Sequence, residues 1–289
     1  MNKKTVVTHN GSFHADDVFS VAALKRILSS FELIRTRDFE IISKANIVVD
    51  VGGEYDPETD RFDHHQRGGA GERENGIPYS SFGLIWKKYG VEICNGSQII
   101  ANAVDTALVS KIDAVDCGYV DGVYNGVSLS QTIGMFNPTW QEDNHFDSCF
   151  NEAVDFASRI LKRFIASAEG EVNARDIVAK AVEKAHDPRV IVLEKFTPWK
   201  KMVHSLSDNA LFVIYPSSNR WLIHTVPVEL GSFEDRKPLP KQWAGLSETE
   251  IQNVTGIDDA MFCHNNLFIA GAASFDSILK MASIALKAS

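Results

Sequence analysis

The chain has 289 residues, 44% of them hydrophobic and 23% charged, which excludes a mainly disordered protein and favours two hydrophobic cores over one. A formal charge of -9 argues against a broad basic face that grips long nucleic acid by counterion release. Short strands, strand ends or small phosphate compounds, held by locally positive groups, remain compatible with it. Cys94, Cys117, Cys149 and Cys263 show no C-x-x-C spacing, so neither a zinc ribbon nor a disulfide scaffold is expected. With no apolar signal core in residues 1–8 and no run long enough to span a bilayer, the expectation is a cytoplasmic protein without a membrane partner.

Residues 4–8 form a short β-favouring run that ends at His9-Asn10-Gly11, and apolar spacing then predicts a helix over 14–29. A second strand is predicted over 31–37. A third, over 46–51, carries a lone acid, Asp50, before Gly52-Gly53. In an open parallel sheet the carboxyl ends of the strands form the ligand crevice, which places His9, His14, Asp16 and Asp50 together. Turn residues from Tyr55 to Asp60 lead into an extended piece over 61–65, and the glycine-rich stretch 68–76 reads as a flexible connection, with a lid over the site as the alternative. Helices are predicted over 80–89 and 99–116, then over 146–168 and 171–185, the last stopped near Asp187-Pro188. A strand over 189–193 and an antiparallel pair, 211–215 with 220–226, begin a smaller α+β region.

The chemistry concentrates in the first quarter of the chain. Four of the nine histidines lie within the first 65 residues, beside Asp16, Asp50 and Asp63. Imidazole nitrogen with carboxylate oxygen suits Mn²⁺, Fe²⁺, Co²⁺ or Zn²⁺. A hydrolytic two-metal centre needs about three or four ligands per ion and one bridging carboxylate. His9, His14 and Asp16 from the first loop, Asp50 from a strand end and His64 from a third segment supply most of that set, and one further acid is required. Asp63 is suited to orient a neighbouring imidazole, and His65 to face a substrate phosphate. No Ser, Cys or Lys has a matching base, so a metal-activated water is the expected nucleophile.

Asp63-His64-His65 resembles the signature of the DHH phosphoesterase superfamily. Residues 8–16, 48–59, 61–68 and 112–118, in this order, are similar to the melanocyte-proliferating-gene family within it. The likeness extends to Arg236–Pro240, Trp243–Leu246 and His264–Gly271.

The resemblance implies an α/β fold with two domains. Residues 1–188 would form a doubly wound, mostly parallel metal-binding domain and 189–289 a smaller α+β substrate domain, with two Mn²⁺ ions between them. It implies metal ligands at His9, His14, Asp16, Asp50, His64 and Asp116, Asp50 being the bridge, and leaves Asp17 and Asp113 open. Asp50, Asp63, His64 and His65 would serve catalysis, and His65, Arg67, Arg236, His264 and Gly271 would contact substrate.

The implied activity is 3′ to 5′ exonuclease action on RNA or short oligonucleotides, and the sequence is compatible with a homo-oligomer. A small-molecule phosphohydrolase, such as a pyrophosphatase or cyclic-dinucleotide phosphodiesterase, and a non-catalytic nucleotide sensor are the competing expectations. The family carries a glycine where this chain has Leu267, so close backbone approach of a phosphate there would be crowded.

Overall fold

Two adjacent valines decide how the first sheet is layered. On strand β1 (Lys4–Thr8), Val6 packs with Ile47, Val49, Phe19 and Phe82, whereas Val7 packs with Ile42, Ala45 and Val48 on the opposite face. Successive strand side chains point to opposite faces, so a strand apolar on both needs helices above and below. The computed structural model describes residues 3–119 and 126–288, and the chain divides into two units, Met1–Glu169 and Gly170–Ser289.

In the first unit β1 is followed by α1 (Ala15–Ile27), β2 (Phe31–Arg35), α2 (Phe39–Lys44), β3 (Ile47–Val49), β4 (Tyr55–Asp56) and β5 (Arg61–Phe62). The sheet order is β2-β1-β3-β5-β4, with every pairing parallel except β4 against β5. The chain leaves β1 for β2 on one side and returns to β3 on the other. That reversal opens a crevice at the carboxyl ends of β1 and β3. Helix α1 is buried from Ala15 through Leu24, including Asp16 and Asp17 in its first turn, where the positive end of the helix dipole favours carboxylates.

Helix α3 (Ser81–Ile93) packs on α1, its buried Phe82 ring 5.4 Å from that of Phe19. The helix expected over 99–116 is interrupted. Helix α4 (Gln98–Val104) passes through a π-helical turn, Asp105–Val109, into α5 (Ser110–Asp116). After α6 (Leu129–Gly134), α7 (Phe146–Glu183) is one helix of 38 residues, not the two expected over 146–168 and 171–185. Gly170 stands at the supposed break, yet one glycine costs a helix only about 1 kcal/mol, and no proline or capping residue adds to it. The division between units therefore falls inside α7 instead of at its end near residue 188, because Val178, Ala181 and Val182 pack with Ile191, Leu193 and Trp199.

The second unit adds β6 (Val190–Val192), α8 (Lys200–Leu206), β7 (Phe212–Ser217), β8 (Arg220–Thr225), α9 (Glu248–Thr255), β9 (Ala260–Cys263), β10 (Ile269–Ala272) and α10 (Phe275–Lys287). Its sheet runs β6-β7-β8-β10-β9, antiparallel except for β6 with β7. Ile278, Met281, Ala282 and Ala285 form the buried stripe of α10. No described helix is long and apolar enough to cross a membrane.

Candidate metal centre

Val7 of β1 stands opposite Val48 of β3, so His9 and Asp50 leave neighbouring strand ends side by side. Asp50 takes φ of 57°, a left-handed conformation that costs most residues strain and that Asp and Asn tolerate best. This turn swings its carboxylate back over the sheet edge. The Nδ1 of His9 lies 3.1 Å from the Asn10 carbonyl, an acceptor, so Nδ1 carries the proton. Its Nε2 then offers a lone pair, 3.2 Å from Asp17 Oδ2 and 3.3 Å from Asp50 Oδ2. One imidazole lone pair facing two carboxylate oxygens is repulsive until a cation or a proton sits among them.

His64 repeats the pattern on the other side. Its Nε2 lies 3.2 Å from Asp116 Oδ2, 3.4 Å from Asp50 Oδ1 and 3.6 Å from Asp16 Oδ2. Buried and surrounded by oxygens, that nitrogen makes no hydrogen bond, and neither do Asp16 Oδ1 nor Asp17 Oδ2. Buried polar atoms left unmatched this way are costly unless a ligand completes them. Among the described residues four groups have donor atoms within 4.8 Å of one another: His9, His14 and Asp50; Asp50, His64 and His65; His14, Asp16 and Asp116; and His64, Asp116 and Cys117. Asp50 belongs to two of them and presents a different oxygen to each imidazole. The donor set thus fits divalent cations, with His9, His14, Asp16, Asp17, Asp50, His64 and Asp116 as the residues that would hold them.

Asp63 accepts from the Gly53 amide at 2.6 Å and the His65 amide at 3.1 Å, and stands 2.8 Å from His65 Nδ1. It therefore fixes the orientation of His65, whose side chain is 62% exposed and borders the opening. A cavity of about 570 Å³ covers these groups, lined by His9, His14, Arg37, Asp50, Asp63 and His65.

The sequence reading did not single out Ser81. Its hydroxyl donates to Asp50 Oδ1 at 2.9 Å and its amide to Asp16 Oδ2 at 3.3 Å, tying the start of α3 to two prospective ligands. The available signal was the serine pair at the head of that predicted helix. Arg37 was also missed, since a lone arginine after a strand carries no pattern.

Behind the centre, Asp113 accepts from Ser80 Oγ at 2.6 Å and the Gly83 amide at 3.0 Å, and pairs with Arg73 Nη1 at 2.7 Å. Arg73 also binds Asp105, which pins the glycine-rich stretch expected to be a flexible connection. Gly83 is required here, because a Cβ would lie 1.9 Å from Asp113 Oδ2. Asp113 thus stands in an ion-pair network of its own. Its Oδ1 reaches the centre only through Ser80 and Gly83, on either side of Ser81.

Of the remaining expected substrate contacts, Arg67 is exposed beside the His64-His65 pair. The others lie in the second unit. Arg236 donates to the Ser207 and Ala210 carbonyls, at 2.6 and 3.1 Å, and His264 Nδ1 accepts from the Asn266 amide at 3.1 Å. Gly271 sits in β10, where a Cβ would meet the Phe262 ring at 2.6 Å. Leu267, where the resemblance implied crowding, takes a left-handed φ of 62°.

Protons balance the charges of the centre in the absence of metal. Burial opposes charge on His9, but Asp17 and Asp50 outweigh it and raise its pKa to about 10. Burial likewise opposes charge on His64, and Asp50, Cys117 and Asp116 raise it to about 10. Burial and the charges of Asp50 and Asp116 push Asp16 well above the carboxylate range. Asp50 moves the other way: burial raises it, but the His64 and His9 imidazoles prevail and lower it.

Because the imidazoles are protonated below about pH 10, metal must expel those protons. Apparent affinity should therefore rise with pH from 6 to 9, by about tenfold per unit for each proton displaced. Calorimetry at pH 7.5 in buffers of different ionisation enthalpy should show about two or more protons released, one from each imidazole. An affinity independent of pH would contradict this arrangement.

Fold and site together define an α/β protein with a cluster of histidines and aspartates, fit to hold divalent cations, at the carboxyl ends of parallel strands. Residues 5–286 match the model of a family described as Uncharacterised protein family (UPF0160), MYG1_exonuc, and the chain belongs to that family. It is 33% identical over 321 residues to the Homo sapiens MYG1 exonuclease, covering 96% of this chain and 85% of that one. It is 32% identical over 323 residues to a Caenorhabditis elegans MYG1 protein, covering 97% and 94%. Among solved structures it is similar to RecJ from Thermus thermophilus in complex with Mn²⁺, at 12% identity and TM-score 0.29. That similarity covers 98% of this chain and 52% of the other, so this chain spans about half its length.

Proposed function

We propose that this protein is a divalent-metal-dependent phosphodiesterase that removes nucleotides from the 3′ end of RNA or short oligonucleotides. One observation carries the reading. Asp50 turns Oδ2 toward His9 and Oδ1 toward His64, at 3.3 and 3.4 Å, which is how a single carboxylate serves two cations. When bound, such ions lower the pKa of water and take up charge on a phosphoryl oxygen, and Mn²⁺ suits the mixed nitrogen and oxygen donors. The chain's own residues do the rest. Ser81 holds the Asp50 carboxylate, Asp63 aims His65 into the opening, and the exposed imidazole of His65 is placed to donate to a phosphate oxygen. The relatives named exonucleases support a nucleic-acid substrate, and the net charge of -9 supports short strands over long duplex. Arg67, exposed beside the His64-His65 pair, is assigned to substrate as well.

The test is a matrix of metals against substrates. RNA and DNA oligonucleotides labelled at the 5′ end should shorten stepwise with Mn²⁺ and remain intact after chelation. His64→Ala should abolish trimming. Pyrophosphate or cyclic-dinucleotide turnover that outruns oligonucleotide trimming would replace the exonuclease reading, and release of a 5′-terminal nucleotide first would reverse the polarity.

A further inference from the structure

Arg37 borders the metal cavity and takes no part in holding the centre. We propose that it is the phosphate anchor of the site, gripping a phosphate group of the nucleotide whose ester is cut. The assignment rests on the phosphodiesterase reading above and deepens it.

Its position is built from both sides. Thr8 of β1 stands opposite Arg35 of β2, and the Thr36 amide donates to the Thr8 carbonyl at 2.8 Å, so Arg37 emerges beside His9. The turn that follows is fixed. The Asp38 amide donates to Thr36 Oγ1 at 3.0 Å, and Asp38 Oδ1 accepts from the Glu40 amide at 2.8 Å to cap α2. Among the described residues Arg37 is the only lysine or arginine lining the cavity, and its guanidinium has no hydrogen bond or ion pair with any of them. Arg35, two residues before, is different. Its guanidinium donates to the Gly11 carbonyl and Asp147 and lies 4.4 Å from the Phe150 ring centre, so it is committed to structure.

Charge explains why a free arginine is needed here. Asp16, Asp17, Asp50, Asp63 and Asp116 bring five carboxylates to the centre, and two divalent ions would leave about one net negative charge. A phosphodiester is itself an anion. A loaded centre of that charge attracts it better with a fixed cation inside the cavity, where Arg67 does not reach the lining, and the Arg37 guanidinium supplies one with a planar fork that matches two phosphate oxygens.

The test is calorimetric titration of adenosine 5′-monophosphate into the Mn²⁺-loaded full chain. Arg37→Ala should weaken binding by about 10- to 100-fold, the usual effect of removing a charged hydrogen-bonding group. Arg37→Lys should fall between, since it keeps the charge and loses the fork. Mn²⁺ affinity should stay within about twofold of the unsubstituted protein, because Arg37 touches no prospective ligand. The proposal is overturned by unchanged nucleotide affinity in Arg37→Ala, by Mn²⁺ affinity falling in parallel, or by no measurable binding to the unsubstituted protein. Nucleotide affinity lost in Arg37→Ala while the unsubstituted protein shortens no oligonucleotide would refute the exonuclease reading and keep the anchor. Oligonucleotide trimming with nucleotide affinity unchanged in Arg37→Ala would do the reverse.

Discussion

Asp50→Asn is expected to lower phosphodiester hydrolysis by about 10³-fold or more while leaving the fold in place. Loss of a partner behind a metal ligand already costs about 10- to 100-fold, and Asp50 faces both imidazoles directly, so the larger effect follows. Asparagine keeps the shape and tolerates the left-handed φ of 57°, which confines the damage to charge. The variant should keep the far-ultraviolet circular dichroism of the parent and bind less metal per chain by atomic emission. Activity within tenfold of the parent, at full metal content, would show that the carboxylate does not bridge.

Asp113→Ala should cost about 3–5 kcal/mol of stability, the usual penalty when one partner of a buried ion pair is removed. Asp113 is fully buried and the Arg73 side chain only 9% exposed, so the guanidinium would be left with Asp105 alone, and the Ser80 hydroxyl and Gly83 amide without an acceptor. In a unit of this size that is a fall in melting temperature on the order of 10 °C. Burial pushes the Asp113 carboxyl up to about 6 despite Arg73, Ser80 and Gly83, so the folded state holds this proton more tightly than the unfolded chain does. The stability linked to that proton is fully present below about pH 4, is lost as pH rises to about 6, and changes no further above. Metal affinity should weaken in the variant as well, since Ser80 and Gly83 flank Ser81. A melting temperature within about 2 °C of the parent would show that the network is dispensable.

Much of the first sheet was readable because its strands are continuous apolar runs ended by polar residues. β1 matches its expected span, and β2 and β3 fall inside theirs. The expected metal ligands are brought together, His14 included, although it sits exposed at the head of α1. What stayed hidden has physical reasons. Helix α2 has six residues and one buried side chain, Ile42, too little for a periodic signal. Strand β4 has two half-buried residues and pairs with β5 only, whereas β5 lies inside the extended piece expected over 61–65 and is anchored by the buried Phe62. Helix α7 was divided at Gly170 because a lone glycine looks like punctuation when the packing on either side is unseen. Ser81 and Arg37 act through position, and position is set by the sheet.

The π-helical turn at Asp105–Val109 has a consequence for how this chain tolerates change. A helix advances by about 100° per residue, and a π turn absorbs one extra residue without breaking the run. Deleting a single residue there would return the segment to regular helix with the residues after it facing as they do now, whereas a deletion in the regular turns of α4 would rotate everything after it by about that angle. Asp113 would turn away from Arg73 and Asp116 from His64. The segment behaves as slack in the helix, so a one-residue loss beside the exposed Thr106 and Ala107 is tolerated better than the same loss in α4.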